Sequence, residues 1–182
     1  MRGIPDRWWP RLLGLALAGC IAAGQAQTPL SETQAKASAL FNFARYVEWP
    51  ERAFASREAP LVFCLAGRDS LAAGVATFDG RSLGGRTTQL RRVLGAEDVR
   101  GCHVLYVGES EERRLLPMLR AAAGEPVLTV SDVGGAGELG GAITIVLDDG
   151  RIRFDINRAA LEQAQLRASS NLLRLARNTR QP

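Results

Sequence analysis

The sequence predicts an α/β fold: a single three-layer sandwich domain in which helices flank a mainly parallel sheet, with an antiparallel hairpin at or near one edge. Apolar runs without alternation, typical of strands covered on both faces, recur at 61–66, 103–107 and 126–130 and alternate with helical patterns. A strong turn signal, Asp148-Asp149-Gly150, then joins two further strands, 142–147 and 151–156. The covered strands that alternate with helices and the hairpin signal together predict the fold class.

The first helix of the domain is predicted to begin at a capping box, Ser31 with Gln34, and to end at Pro50. At 100° per residue its apolar side collects Ala37, Leu40, Phe41, Phe43, Ala44 and Val47. Its other side carries Asn42, Arg45, Tyr46 and Trp49. Because Tyr, Trp and Arg are enriched where proteins bind partners, we predict a partner contact there. The alternative is that Trp49 simply folds back over the domain.

The remaining elements complete two βαβ units and a helical C-terminus. Helices are predicted at 69–76, 111–123 and 158–166, a brief helical turn at 96–101, a further strand at 87–93, and an amphipathic tail around Leu172, Leu173 and Leu175.

Composition and charge place the chain among globular proteins that do not bind nucleic acid. Its 182 residues are 46% hydrophobic and 23% charged, which suits one folded domain. The sequence pI is near 9.5. Without residues 1–26, however, 20 basic residues face 18 acidic ones, and the arginines are interspersed with acids. This pattern does not indicate the clustered basic surface that binds the phosphate backbone of a nucleic acid.

Residues 1–26 are predicted to be an export signal, with arginines at 2, 7 and 11 before an apolar run at 12–23. Leu17-Ala18-Gly19-Cys20 resembles the bacterial lipobox, in which the cysteine is lipidated; the competing cleavage site follows Ala26. The domain at 27–182 is therefore expected in the periplasm, either soluble or lipid-tethered to the envelope. Cys64 and Cys102 are then an even pair, as expected for a disulfide in an oxidising compartment; the alternative is two buried thiols.

Catalytic, metal and cofactor sites are not predicted. His103 is the only histidine, at the start of a strand, so a structural role is favoured over a catalytic triad or a zinc site. The G-x-G-x-x-G run at 135–140 leads into a strand and not a helix, so we interpret it as a flexible loop and not a dinucleotide site.

Polar residues follow two of the covered strands, at the sheet edge where ligands of open α/β folds bind. Asp69 and Ser70 follow the first strand, and Ser131 and Asp132 follow the strand at 126–130. Each pair either contributes to a small-ligand site or caps a turn or helix.

Six segments together resemble the YfiR-like proteins, periplasmic repressors of membrane-bound diguanylate cyclases. They are 39–50, 63–67, 101–106, 127–132, 156–157 and 169–176. The resemblance implies a non-enzymatic domain, often dimeric, that binds the periplasmic sensor portion of the cyclase and is itself sequestered by an outer-membrane lipoprotein. It also implies a Cys64–Cys102 disulfide. A second cysteine pair carried by some members is absent here.

Two functions are therefore expected. The first is repression of a cyclase, which lowers cyclic di-GMP signalling and biofilm formation, with the helix residues named above and Ser169, Ser170 and Arg174 of the tail as contacts. The second is a periplasmic small-ligand sensor that uses Asp69, Ser70, Ser131 and Asp132.

Overall fold

The computed structural model describes residues 31–67 and 71–180. Within them the elements follow in the order α1 (Glu32–Arg45), β1 (Val47–Glu48), β2 (Leu61–Ala66), α2 (Leu71–Ala76), β3 (Ser82–Leu83), β4 (Arg86–Arg92), β5 (Val104–Val107), α3 (Glu112–Ala122), β6 (Leu128–Ser131), β7 (Ile143–Asp148), β8 (Arg151–Asn157), α4 (Arg158–Gln163), β9 (Arg167–Ala168), α5 (Ser170–Leu175) and β10 (Asn178–Arg180). Cys20, Asp69 and Ser70 lie outside the described residues.

An eight-stranded sheet has the order β10-β8-β7-β6-β5-β2-β4-β3. Strands β4, β2, β5, β6 and β7 are parallel, whereas β7 pairs with β8 and β3 with β4 in antiparallel fashion. The mainly parallel sheet and the hairpin near one edge are thus confirmed. The hairpin turn places Asp149 and Gly150 at φ 47° and 71°, the left-handed conformations that a two-residue hairpin loop requires. Strand β10, which the sequence did not predict, lies outside the hairpin.

Helix α1 begins as predicted and ends earlier than predicted. Both capping-box hydrogen bonds between Ser31 and Gln34 are present at 3.3 Å. The helix stops at Arg45 and not at Pro50, because the next residues form β1 and pair with β9: Val47 lies opposite Ala168. The prediction missed this since the pairing strand is more than a hundred residues away in the sequence.

Two hydrophobic cores lie on opposite faces of the sheet, as a three-layer sandwich requires. Alternate β2 residues divide between them: Phe63 faces the first core and Cys64 the second. The first core is covered by α1, α2, α4 and α5, and the second by α3 and the 3-10 turn at 96–99.

Cys64 and Cys102 form a disulfide in the second core. It joins β2 to the residue just before His103 and closes a loop with a sequence separation of 38. Constraining a loop of this length in the unfolded chain is worth about 4 kcal/mol.

The G-x-G-x-x-G run at 135–140, predicted to be a flexible loop, lies in a segment at 133–141 that contains neither helix nor strand. It is a series of turns closed by backbone hydrogen bonds, such as Gly141 N–H to Ala136 O at 2.8 Å, and Ala136 is fully buried. Val133 and Ala136 pack in the second core. Apolar anchors at both residues therefore hold the turn against the sheet.

Candidate partner-binding surface

The two segments predicted to contact a partner lie side by side. Strands β1 and β9 form a short antiparallel pair, and Ser169 N–H donates to Tyr46 O at 2.8 Å. The end of α1 and the start of α5 are therefore fixed next to each other, although more than a hundred residues separate them. Local sequence patterns gave no signal for this pairing.

Helix α1 presents three of the predicted contact residues to solvent. Asn42, Arg45 and Tyr46 are exposed and follow the i, i+3, i+4 spacing of one helix side. Phe43 and Ala44 on the other side are buried in the first core. Packing of that buried side sets the direction in which the exposed side points.

Helix α5 contributes the neighbouring part of the surface. The Ser169 hydroxyl accepts from Leu172 N–H at 3.2 Å and so caps the helix, while Leu172 is buried. Arg174 donates to Asn171, and Leu175 is 67% exposed. Ser169 is thus occupied by capping, and the solvent-facing side chains of α5 are Ser170, Asn171, Arg174 and Leu175. We call Asn42, Arg45, Tyr46, Ser170, Arg174 and Leu175 the α1–α5 surface.

Trp49 does not belong to the exposed side of α1, which corrects the sequence prediction. It follows β1, is partly buried against the first core, and donates from its indole Nε1 to His103 O at 3.3 Å. The interpretation that Trp49 folds back over the domain is the one that its position favours. Once the helix ends at Arg45, helical spacing no longer governs Trp49.

His103 fastens the segment after Trp49 to the sheet. Its Nδ1 accepts from Val62 N–H at 3.0 Å, so Nε2 carries the proton and donates to Ala53 O at 2.9 Å. The ring stacks on Phe54, with centroids 4.5 Å apart. Burial lowers the pKa of His103, and the nearby charge of Arg86 lowers it further. The neutral ring fits both bonds, in keeping with the structural role predicted.

The carboxyl edge of the sheet holds the other predicted site residues. The Ser131 hydroxyl is buried and donates to Val107 O at 2.7 Å, so it links strand β6 to strand β5. Asp132 accepts from Lys36 Nζ at 2.7 Å and from Glu109 N–H at 2.9 Å. Burial would lower the pKa of Lys36, but its hydrogen bonds to Asp132 and Glu32 outweigh burial and raise it. Asp132 thus anchors α1 to this edge.

A crevice of about 510 Å3 opens beside Asp132. Its lining, among the described residues, consists of Glu32, Thr33, Lys36, Leu71, Tyr106, Glu109, Ser110 and Asp132. No group of side chains in the described ranges is arranged to hold a metal ion.

The family of this chain follows from its match to a family model. The model described as YfiR/HmsC-like matches residues 33–177, which is most of the chain. The protein belongs to the YfiR/HmsC-like family. This family is regulatory rather than catalytic, and it is periplasmic. None of the described helices is long and apolar enough to cross a membrane.

One solved structure is similar to this YfiR/HmsC-like chain in fold. A crystal structure of a conserved domain protein from Vibrio cholerae O1 biovar El Tor matches with a TM-score of 0.52 and 14% identity, covering 83% of this chain and 61% of that one. The ABC domain of Streptococcus pneumoniae in complex with L-Trp matches with a TM-score of 0.47 and 10% identity, over 66% of this chain and 55% of that one. The second likeness is too low to carry an argument.

Two features of this YfiR/HmsC-like domain escaped the sequence analysis. Leu175 was assigned to an amphipathic tail, yet the six-residue helix α5 turns it outward. Lys36 gave no signal at all, because its partner Asp132 lies 96 residues away in sequence.

Proposed function

We propose that this protein is a non-enzymatic periplasmic regulator that binds the sensor portion of a membrane-bound diguanylate cyclase and holds the cyclase inactive. The observation that carries this proposal is the hydrogen bond from Ser169 N–H to Tyr46 O, which holds the end of α1 beside the start of α5 within the α1–α5 surface. Tyr46, Leu175 and the two arginines Arg45 and Arg174 give it the aromatic, apolar and guanidinium groups that dominate protein interfaces. Membership of a regulatory family supports the same conclusion.

The rest of the system is part of this proposal. An outer-membrane lipoprotein sequesters the regulator and so releases the cyclase, and the regulator assembles as a homodimer. Lipidation at Cys20 would tether it to the envelope, whereas cleavage after Ala26 would leave it soluble. Mass spectrometry of the mature N-terminus distinguishes an acylated Cys20 from a free Gln27.

Cyclic di-GMP measured in cells tests the regulatory role. Deleting the gene should raise the nucleotide level and increase biofilm formation, and the wild-type gene should restore both. The double variant Arg45→Ala with Tyr46→Ala should fail to restore them. An unchanged cyclic di-GMP level after deletion would contradict the proposal.

A matched control separates contact from stability. Leu94 is 74% exposed and lies outside the α1–α5 surface, so Leu94→Ala should complement as the wild type does. Trp49 is avoided in this test because its replacement would also break the contact with His103. If the double variant represses normally, then the α1–α5 surface is not the binding site.

A second candidate function is a small-ligand sensor at the carboxyl edge. The observation that favours it is the crevice of about 510 Å3 beside Asp132, at the position where open α/β folds bind ligands. The Ser131 hydroxyl is already hydrogen-bonded to Val107 O within the sheet, so Asp132 and Lys36 would contact the ligand. Thermal-shift screening against metabolites tests it: an increase in melting temperature that Asp132→Asn abolishes would support a ligand, and no shift at about 1 mM would argue against one.

A further inference from the structure

The residues that directly follow β1, at 49–53, are attached to the domain by few contacts. They contain one short element, a 3-10 turn at Glu51–Ala53, and each of their side chains is half-buried or exposed. The hydrogen bond from Arg52 Nε to Gln165 Oε1, 3.0 Å long, is exposed. We call residues 49–53 the strap. Segments with little buried surface open locally while the rest of a protein stays folded. The attachment of the strap therefore depends on individual contacts.

His103 supplies two of these contacts. Its ring donates from Nε2 to Ala53 O at 2.9 Å, and its carbonyl oxygen accepts from the Trp49 indole at 3.3 Å. The ring also stacks on Phe54, the residue after the strap. One histidine thus holds both ends of the strap.

The backbone of His103 is fixed in the sheet, so its ring is the part that can move. His103 N–H donates to Val62 O at 3.0 Å, and Leu128 N–H donates to His103 O at 2.8 Å. The ring Nδ1 accepts from Val62 N–H at 3.0 Å. A proton on Nδ1 would remove this acceptor and set two N–H groups against each other. The ring must then turn, and a turned ring no longer donates to Ala53 O.

The charges around the ring do not compensate a proton there. Burial lowers the pKa of His103 more than the hydrogen bond to Ala53 O raises it, and the charges of Arg86 and Arg91 on β4 lower it further. A crevice of about 370 Å3 beside the ring has as its charged lining Arg52, Glu97, Arg100 and Glu125. No carboxylate in the described part of the chain forms a salt bridge with His103. A buried charge without a partner is unfavourable.

The chain is held firmly on both sides of the strap. Before it, Val47 is buried and belongs to the β1–β9 pair. After it, the Arg86 guanidinium lies 3.5 Å from the centre of the Phe54 ring. Arg86 Nη1 also donates to the carbonyl oxygens of Ser56, Arg57 and Ala59. Arginine keeps its charge at every relevant pH, so these contacts do not change in acid.

We propose that protonation of His103 releases the strap from the sheet, which makes this segment an acid-sensitive switch. The ring gives up Val62 N–H and Ala53 O, the strap detaches between Val47 and Phe54, and Trp49 moves into solvent. Because β1 joins the strap to Tyr46, release alters the chain next to the α1–α5 surface. The release does not depend on the proposed function, whereas its effect on a partner contact rests on it.

Nitrogen-15 NMR of the mature protein tests the release, because His103 is the only histidine and Trp49 the only tryptophan after residue 26. The ring nitrogens report protonation, and hydrogen exchange reports opening. The protection factor of Val62 N–H should fall about tenfold for each pH unit below 6.5 until the pH reaches the folded pKa, since the open state binds the proton more readily. The Trp49 indole N–H should lose protection over the same range, whereas Leu128 N–H should not.

Two variants identify the titrating group. His103→Gln does not titrate, so the protection of Val62 N–H should no longer depend on pH. Glu97→Gln with Glu125→Gln removes both carboxylates of the adjoining crevice and should keep the pH dependence of the wild type. If His103→Gln does not fold, the wild type still decides the matter, because loss of protection must share its midpoint with the titration of the His103 ring.

Four results would overturn the proposal. Unchanged protection of Val62 N–H while His103 takes up a proton would show that the charged ring still holds the strap. A His103 ring that stays neutral down to about pH 4 would exclude the switch. Equal loss at Leu128 N–H would indicate global unfolding. A pH dependence that persists in His103→Gln, or that disappears in the double glutamate variant, would assign the effect to another group.

The experiment uses the protein alone, so its outcome is independent of any cyclase. Cyclic di-GMP in cells tests the proposed function separately, and either idea can fail while the other stands.

Discussion

The two faces of the sheet are stabilised by different means. Under α1 the first core contains aromatic contacts: Phe43 meets Phe154 edge to face at 4.8 Å, and Phe41 stacks on Phe78 at 4.5 Å. Under α3 none of the buried residues described in the second core is aromatic, and the disulfide Cys64–Cys102 lies there instead. One face is packed with aromatic side chains, and the other combines aliphatic packing with a covalent link.

This difference matters for function because α1 has two tasks. Its buried aromatic side anchors the helix, and its exposed side presents Asn42, Arg45 and Tyr46. The disulfide lies across the sheet from that surface. Damage to the second core should therefore lower overall stability while leaving the α1–α5 surface intact in the folded state, whereas damage to the first core should affect both.

Removal of the disulfide should have the largest effect. Cys64→Ala with Cys102→Ala should lower the free energy of unfolding by about 4 kcal/mol, because the unfolded chain regains the freedom of the closed loop. Urea denaturation measures this change, and reduction of the wild type should reproduce it. A loss below about 1 kcal/mol would show that the cross-link adds little to the second core.

Truncation of a side chain in the first core should have the second-largest effect on stability. Phe43 is buried and contacts Phe154, so Phe43→Ala should cost about 3 kcal/mol. Amide hydrogen exchange should quicken in α1 more than in α3. Phe43→Leu, which keeps most of the volume, should cost about 1 kcal/mol. Equal acceleration of exchange in both helices would contradict the division into two faces.

His103 should make the stability of the attached segment depend on pH. Its pKa in the folded state is lowered by burial from an ordinary value of 6.5. The neutral ring therefore contributes its full stabilisation above pH 6.5 and loses it as the pH falls below that value, since the unfolded state binds the proton more readily. His103→Gln does not titrate there, so the free energy of unfolding of the wild type should fall more steeply between about pH 7 and pH 5. If the free energy of unfolding had the same pH dependence in the wild type and in His103→Gln, this role of His103 would be contradicted.

Substitution on the α1–α5 surface should have the smallest effect on stability. Arg45→Ala with Tyr46→Ala removes two exposed side chains and should change the free energy of unfolding by no more than about 0.5 kcal/mol. Thermal denaturation, with Leu94→Ala as the reference, checks this expectation. A much larger loss would mean that Tyr46 is part of the core, and its role in a partner contact would then need a different test.

The sequence predicted those parts of the protein that depend on local patterns. The Ser31 and Gln34 cap, the covered strands β2 and β5, and the hairpin at Asp149 and Gly150 are each encoded within a few neighbouring residues. Side-chain period and turn chemistry are short-range properties, so a single sequence reveals them. The same patterns placed Asn42, Arg45 and Tyr46 on the exposed side of α1 correctly.

Long-range pairing decided the rest. Because β1 pairs with β9, α1 ends at Arg45 and Tyr46 lies beside Ser169. Trp49, which follows β1, donates a hydrogen bond from its indole to His103 O. The addition of β10 to the sheet and the bond between Lys36 and Asp132 likewise join residues that no local pattern connects. The free energy that selects such contacts comes from packing and hydrogen bonding across the whole domain. By itself the sequence therefore determined the layers of the fold and the exposed side of α1, whereas only the tertiary structure decided which residues share a surface.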